Sequence, residues 1–313
     1  MATYTTLDRK TVEELLEHYD VGDIVHFTPM EGGKANSSIV VTTKRGRFVL
    51  SVCDEKNSAE IGSLTSILEY LYKHDFPTTR IIRTRSTESL IEYDGKPVYL
   101  KEYIEGTVKE PLSSPMVQQV GACLARLHQI PPHADLLDFF SYGIESFDEV
   151  VDLKPPNDFS TWLATKAGFI KKGCGEDLPR GFIHGDLFSD NMLFSKDTLV
   201  AILDFEEACN YFLIFDIGMC AAGCCTVDGR FSQDLAAALI SGYQSMRMLT
   251  PPEQQFLQLH IEYGAVATSF WRYRQYNIRY PNLGCRTLYK EMSELADQVR
   301  AIPQEVFFRN IFG

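Results

Sequence analysis

The spacing of apolar residues changes its period once along the chain, and that change limits the folds open to it. Through about residue 103, short runs of β-branched and aromatic residues alternate with turn residues. They predict strands at 25–30, 38–43, 47–53, 89–93 and 97–103. Lys44-Arg45-Gly46 and Asp94-Gly95 read as the hairpin turns, and a polar loop, 31–37, separates the first two strands. One helix interrupts them, at 59–74, where Ile61, Leu64, Ile67, Leu68 and Leu71 fall at helical spacing. From Ser114 onward the period is helical, with helices predicted at 116–128, 159–169, 232–248, 252–276 and 288–301. A strand-like pair around 181–194 and 199–205 breaks that run. A mostly-β part, 1–103, and a larger mostly-helical part, 104–313, with a hinge near 102–106, make an α+β chain of two lobes.

Composition narrows the function classes. At 313 residues and 45% hydrophobic, the chain can bury a sizeable core without staples. A net charge of −12 offers no basic field to a nucleic-acid backbone or an anionic membrane. Eight cysteines sit in apolar or helix-like segments and form no CxxC pair, which predicts reduced thiols rather than disulfides or zinc. The first residues lack an apolar signal core. The most apolar run, 212–227, is short for a bilayer and carries Asp216. The expectation is a cytoplasmic protein with a small-molecule partner.

The chemistry concentrates in one stretch. Residues 182–194 read FIHGDLFSDNMLF, placing Asp186 and Asn191 five apart, and Asp204 follows thirteen residues after Asn191 at the end of an apolar run. Phosphoryl transfer to a hydroxyl asks for such a set. One carboxylate, Asp186, orients and deprotonates the acceptor, while Asn191 and Asp204 supply the oxygen ligands that Mg²⁺ prefers. Asp186 fits the role of base better than His184, which is expected to hydrogen-bond backbone. Asp216, within the apolar run, must be paired if buried, and reads as an anchor for the catalytic loop.

Other residues are placed around this set. The loop containing Gly32, Gly33 and Ser37 is either a plain hairpin turn or a cradle for phosphates. Its position upstream of Asp186 favours the cradle. Residues 270–276 set Arg272 and Arg274 among four aromatics. Either these arginines face water, or one of them lines the acceptor pocket and grips a carboxylate.

Across 184–191 and Asp204 the chain resembles the aminoglycoside phosphotransferase/choline kinase superfamily. Within it, HGDLFSDNMLF, GGKANSS, GRFVLSV, ILDFEEACN and SFWRYR are similar to homoserine kinases, over about 25–276. The resemblance implies a protein-kinase-like two-lobe fold with its active site between the lobes, ATP as phosphoryl donor, Asp186 as base, and Asn191 and Asp204 as magnesium ligands. It makes Glu102, Tyr103 and Ile104 the adenine-facing hinge and Gly32, Gly33 and Ser37 the phosphate loop. Arg274 takes the place of an arginine near the acceptor. Ser51 stands where most kinases carry a phosphate-binding lysine, and Lys56 is the substitute that the resemblance offers, with Lys34 in reserve. Glu206 replaces the aromatic usual in homoserine kinases; here the chain is similar to choline kinases, and Glu206 is placed to face an ammonium. The favoured acceptor is therefore an amino-acid alcohol such as homoserine. A cationic alcohol (an aminoglycoside, choline or ethanolamine) is the alternative, and a non-catalytic pseudokinase is the third reading.

Overall fold

The computed structural model describes residues 5, 7–30, 36–175 and 178–313. Two compact units emerge: Met1–Gly106 with Val200–Leu203, and Thr107–Leu199 with Asp204–Gly313.

The first unit is built on an antiparallel sheet. Its elements are α1 (Arg9–Leu16), β1 (Ile24–Pro29), β2 (Asn36–Thr43), β3 (Gly46–Cys53), α2 (Ser58–Lys73), β4 (Ile81–Ile82), β5 (Ile91–Tyr93) and β6 (Lys96–Glu102). Strand order is β1-β2-β3-β6-β4, with β5 also on β6. The expected hairpins are present: Thr43 faces Gly46 across Lys44-Arg45, and Tyr93 faces Lys96 across Asp94-Gly95. Asp94 and Gly95 both take positive φ, the backbone that suits a tight hairpin's right-handed twist. Asn57 starts α2 with a capping box, accepting from the Glu60 amide while the Glu60 carboxylate accepts from the Asn57 amide.

Helix α1 was not among the expected elements. Eight residues are too few to hold a helix alone, and packing secures this one. Asp8 caps it through the Thr11 amide at 2.8 Å, and Val12, Leu15 and Leu16 bury against Val41, Leu50, Val52 and Leu100. Each such side chain contributes about 1.5–3 kcal/mol. Because side chains alternate along β3, Leu50 and Val52 face this core and Ser51 points to the other side of the sheet. There Ser51 is buried, and its Oγ lies 2.9 Å from that of Ser38.

The second unit is mostly helical. It contains α3 (Ser114–Leu127), α4 (Asp148–Val151), α5 (Asp158–Gly173), β7 (Arg180–Ile183), β8 (Met192–Ser195), the start of β9 (Thr198–Ile202) and β10 (Cys209–Phe212). Then follow α6 (Leu213–Cys224), the hairpin β11 (Thr226–Val227) and β12 (Arg230–Phe231), α7 (Gln233–Gln244), α8 (Pro251–Tyr273), α9 (Tyr289–Ala301) and α10 (Gln304–Phe312). Thr250 and Glu253 form the capping box of α8, which ends in a wider i→i+5 turn over Arg274–Arg279 instead of running straight to 276.

The strand pair expected at 181–194 and 199–205 is two separate ladders. β7 pairs antiparallel with β10, and β8 pairs with β9. The cause is local. Gly185 at φ +85° and a 3₁₀ turn at Ser189–Asn191 end the first strand and begin the second. Helices α6 and α8 meet backbone to backbone, since a Cβ on Gly218 would lie 2.1 Å from the His260 carbonyl oxygen. Around them Phe140, Phe147, Ile183, Tyr211, Phe215, Met219, Tyr263 and Phe270 form the core. Among the described residues no helix is long and apolar enough to cross a membrane.

Candidate active site

Asp186 and Asn191 come together in the second unit. The loop between β7 and β8 folds back so that Asn191 Nδ2 donates to the Asp186 carbonyl at 2.8 Å. That bond engages Nδ2 and leaves Oδ1 as the acceptor of the amide. The Asp186 amide donates to His184 Nδ1 at 3.2 Å, so His184 serves the backbone, as expected, and its ring is fully buried against Phe205.

Asp216 on α6 anchors the loop from below. It is wholly buried, and accepts from the His184 amide at 2.8 Å and the Gly185 amide at 2.9 Å. His128 at the end of α3 donates Nε2–H to it at 3.1 Å. Burial works against its charge, but the His128 hydrogen bond, the electrostatic pull of the His128 and His184 rings and the Gly185 amide outweigh that and hold the carboxyl below its ordinary range. Gly185 itself has no room for a side chain, because a Cβ there would sit 2.7 Å from the Glu207 carbonyl oxygen. The turn is therefore wedged against the segment that follows Asp204.

Asp204 is exposed and takes φ +61°, a left-handed backbone uncommon outside glycine. Its charge reaches Asp186. Burial first, then the Asp204 charge, with smaller contributions from Glu207 and Asp190, pushes the Asp186 carboxyl up to about 7, against a lowering hydrogen bond from Tyr142. Carboxylates that repel one another beside an oriented amide oxygen are a donor set suited to a hard divalent cation. Among the described residues no three His, Cys, Asp or Glu side chains form a metal cage. Asn191 and Asp204 supply oxygen donors that could hold a hard divalent cation.

The aromatic-rich segment is tied to this loop. The Tyr142 hydroxyl lies 3.1 Å from Asp186 Oδ1, and its ring is 6.5 Å from that of Trp271. The two arginines of this segment part company. Arg272 reaches the Leu288 carbonyl and Glu291 at the start of α9. Arg274 is buried over the Phe270 ring and pairs with Glu149 at 3.0 Å; Arg279 reaches the same carboxylate at 3.3 Å. Arg274 Nε is buried with no hydrogen-bond partner. Burial, then the neighbouring Arg279 charge, lowers its pKa below the ordinary guanidinium value. Glu206 is half-buried beside Glu207, and Glu207 is the one whose charge acts on Asp186, Tyr142 and Arg274.

The residues expected at the nucleotide lie in the first unit. Gly32, Gly33 and Lys34 fall outside the described residues. Ser37 is in β2, with its hydroxyl donating to Asp54 at 2.6 Å. Asp54 is also met by Lys96 Nζ at 2.6 Å. Lys56 is half-buried just past β3. Glu102 ends β6, with its amide bound to the Arg80 carbonyl and its carbonyl to Thr79. Tyr103 lies under the Arg47 guanidinium, and Ile104 follows outside any helix or strand. The sequence reading missed Tyr142, His128 and Glu207. Two of them carried a signal: His128 as a polar ring closing an apolar helix, and Glu207 as the neighbour of Glu206 just past Asp204.

A model of the phosphotransferase enzyme family matches residues 26–249. The chain belongs to that family. It is a small-molecule phosphotransferase. It is 31% identical over 280 residues to the homoserine kinase of Gluconobacter oxydans, covering 82% of this chain and 84% of that one. Among solved structures, an amicoumacin kinase in complex with AMP-PNP and Ca²⁺ superposes with a TM-score of 0.73 at 13% identity, covering 96% and 97% of the two chains. A microcompartment-associated aminopropanol kinase gives 0.70 at 17% identity over 94% and 98%. These likenesses show that the phosphotransferase has the protein-kinase-like fold.

Proposed function

We propose that the enzyme transfers the γ-phosphoryl group of ATP, with Mg²⁺, to the hydroxyl of an amino-acid alcohol, homoserine first. The Asp186–Asn191 pair beside Asp204 supports the reaction, and the kinship with homoserine kinases supports the acceptor. Asp186 receives the hydroxyl and takes its proton late in transfer. Asn191 and Asp204 hold the metal, which when bound offsets the charge of the phosphates. In the first unit, Gly32, Gly33 and Ser37 are assigned to the phosphates, Lys56 to their countercharge, and Glu102, Tyr103 and Ile104 to the adenine.

The observation that carries the acceptor is Arg274. Two guanidiniums share the single Glu149 carboxylate, and one buried Nε has no partner. That leaves Arg274 an unpaired donor on a planar fork, which suits a second carboxylate. Arg272, engaged by Glu291, is the weaker candidate. The acidic pair Glu206 and Glu207 is assigned to the ammonium end.

Replacing Arg274 by alanine is expected to raise the KM for homoserine about 10- to 150-fold, the effect of losing about 1.5–3 kcal/mol from a hydrogen bond to a charged group. The KM for ATP stays unchanged. Steady-state kinetics across homoserine, choline, ethanolamine and an aminoglycoside decide the matter. The two acids, with Tyr142 and Trp271 close by, favour a cationic alcohol as the second reading. Turnover of choline but not homoserine, indifferent to Arg274→Ala, would put it first.

A further inference from the structure

Asp186 has two carboxylate oxygens, and only one can receive the proton of an acceptor hydroxyl. The structure gives the other a partner. Tyr142 is nearly fully buried, and its hydroxyl hydrogen is shared between Asp186 Oδ1 at 3.1 Å and the Gly185 carbonyl at 3.3 Å. Its ring is gripped by Phe140 at 4.2 Å, with Trp271 beyond on α8.

The turn that carries Tyr142 is fastened as firmly as its ring. Gly143 closes it onto the Phe140 carbonyl at 3.0 Å, and the Ile144 amide donates to the Tyr263 hydroxyl at 2.7 Å. Tyr263 belongs to α8 and meets the Tyr211 hydroxyl at 3.0 Å. A phenol held in this way fixes the rotation of the carboxylate that it touches. Neither a core packing role nor a solvent contact calls for a buried hydroxyl aimed at a catalytic carboxylate, since phenylalanine would fill the same space.

We propose that Tyr142 is a positioning residue for Asp186: its hydroxyl occupies Oδ1 and so presents Oδ2 to the acceptor hydroxyl in the orientation that transfer requires. The proposal rests on the reading of Asp186 as base. Misplacing a catalytic group by about 1 Å can slow a reaction about 100-fold. Tyr142 also bridges the catalytic loop to the aromatic segment that bears Trp271 and Arg274, so acceptor pocket and base share one rigid contact.

The test is Tyr142→Phe, which keeps the ring and removes one oxygen. With homoserine as acceptor, kcat is expected to fall about 10- to 100-fold, while the KM for ATP and the melting temperature stay at wild-type values. The same split is read on acceptor-free ATP hydrolysis, where water replaces the alcohol, so the measurement does not depend on homoserine being the acceptor. Wild-type kcat in the variant overturns the proposal. So does a loss of kcat that travels with a higher KM for ATP and a lower melting temperature, since that marks a structural role. A wild-type enzyme that hydrolyses ATP but ignores homoserine overturns the acceptor reading alone. One that does neither overturns the kinase reading, and this proposal with it.

Discussion

Asp186→Asn is expected to slow phosphoryl transfer by roughly 10²–10⁴-fold, the contribution of a positioned general base, and at the same time to make the metal-free protein more stable. The first effect follows from geometry. The amide keeps the shape and the backbone contacts to His184 and Asn191 but cannot take a proton. The second follows from charge. The Asp186 carboxyl titrates near 7 in the fold, against 3.8 for an ordinary aspartate, so between those values the folded state holds a proton that the unfolded chain has released. Stability therefore falls as pH rises through that window, and the deficit is complete above pH 7. A neutral amide escapes it. In EDTA the melting temperature of the variant should exceed that of the wild type at pH 8, and the gap should close as the pH is lowered toward 4. The activity assay is run separately with Mg²⁺ and ATP. Unchanged turnover would remove Asp186 from the mechanism; equal melting curves at pH 8 would mean that its burial costs the fold nothing.

Spacing made the Asp186–Asn191–Asp204 set legible in the sequence, whereas the residues packed around it left no such pattern. Asp186, Asn191 and Asp204 follow one another at fixed intervals on a single stretch, so spacing alone brought them together. Tyr142 reaches the same carboxylate from a segment that no local pattern links, 44 residues before it, and the charge of Glu207 acts on it from three residues past Asp204. Only the packed fold makes them neighbours. Runs of β-branched and aromatic residues bounded by turn residues located β1, β2, β3, β5 and β6 to within a few residues. The β7–β10 pairing was hidden because β10 is four residues long and runs straight into α6. A composition of apolar residues on both sides of the boundary gave no change of period to read. Helix α1 did leave a signal, an aspartate cap followed by apolar positions 12, 15 and 16, but over eight residues it is short enough to pass as loop. The aromatic segment shows the opposite limit. The sequence set Arg272 and Arg274 side by side, and only the helix geometry sends one to Glu291 and the other to Glu149.

Asp216→Ala is expected to be the most destabilising single change near the site, at about 3–5 kcal/mol, the cost of removing one partner from a buried charged network. Three donors lose their acceptor at once: the amides of His184 and Gly185 and the ring of His128. None can turn to water, because His184, Gly185 and His128 are all buried. The network beyond them sets the histidine's tautomer. Arg247 donates to the Tyr243 hydroxyl at 3.0 Å, which leaves that hydroxyl to donate to His128 Nδ1 at 2.7 Å. Nδ1 is then the acceptor, and Nε2 carries the hydrogen that Asp216 receives. Tyr243→Phe removes only the far end of this chain and should cost much less, so the pair of variants separates the anchor from its extension. The pH dependence carries the opposite sign from that of Asp186. The Asp216 carboxyl lies below 3.8 in the fold, so its contribution is full above that value and is lost as pH falls through its lower folded one. Urea melts of wild type and Asp216→Ala should therefore differ most near neutrality and converge in acid. Where the variant still folds, at low temperature, its turnover should fall with ATP affinity retained, since the residue holds the His184–Gly185 backbone next to Asp186. A gap in stability that stays constant from pH 7 to pH 3 would show that Asp216 acts through its volume, with its charge contributing nothing to holding the loop.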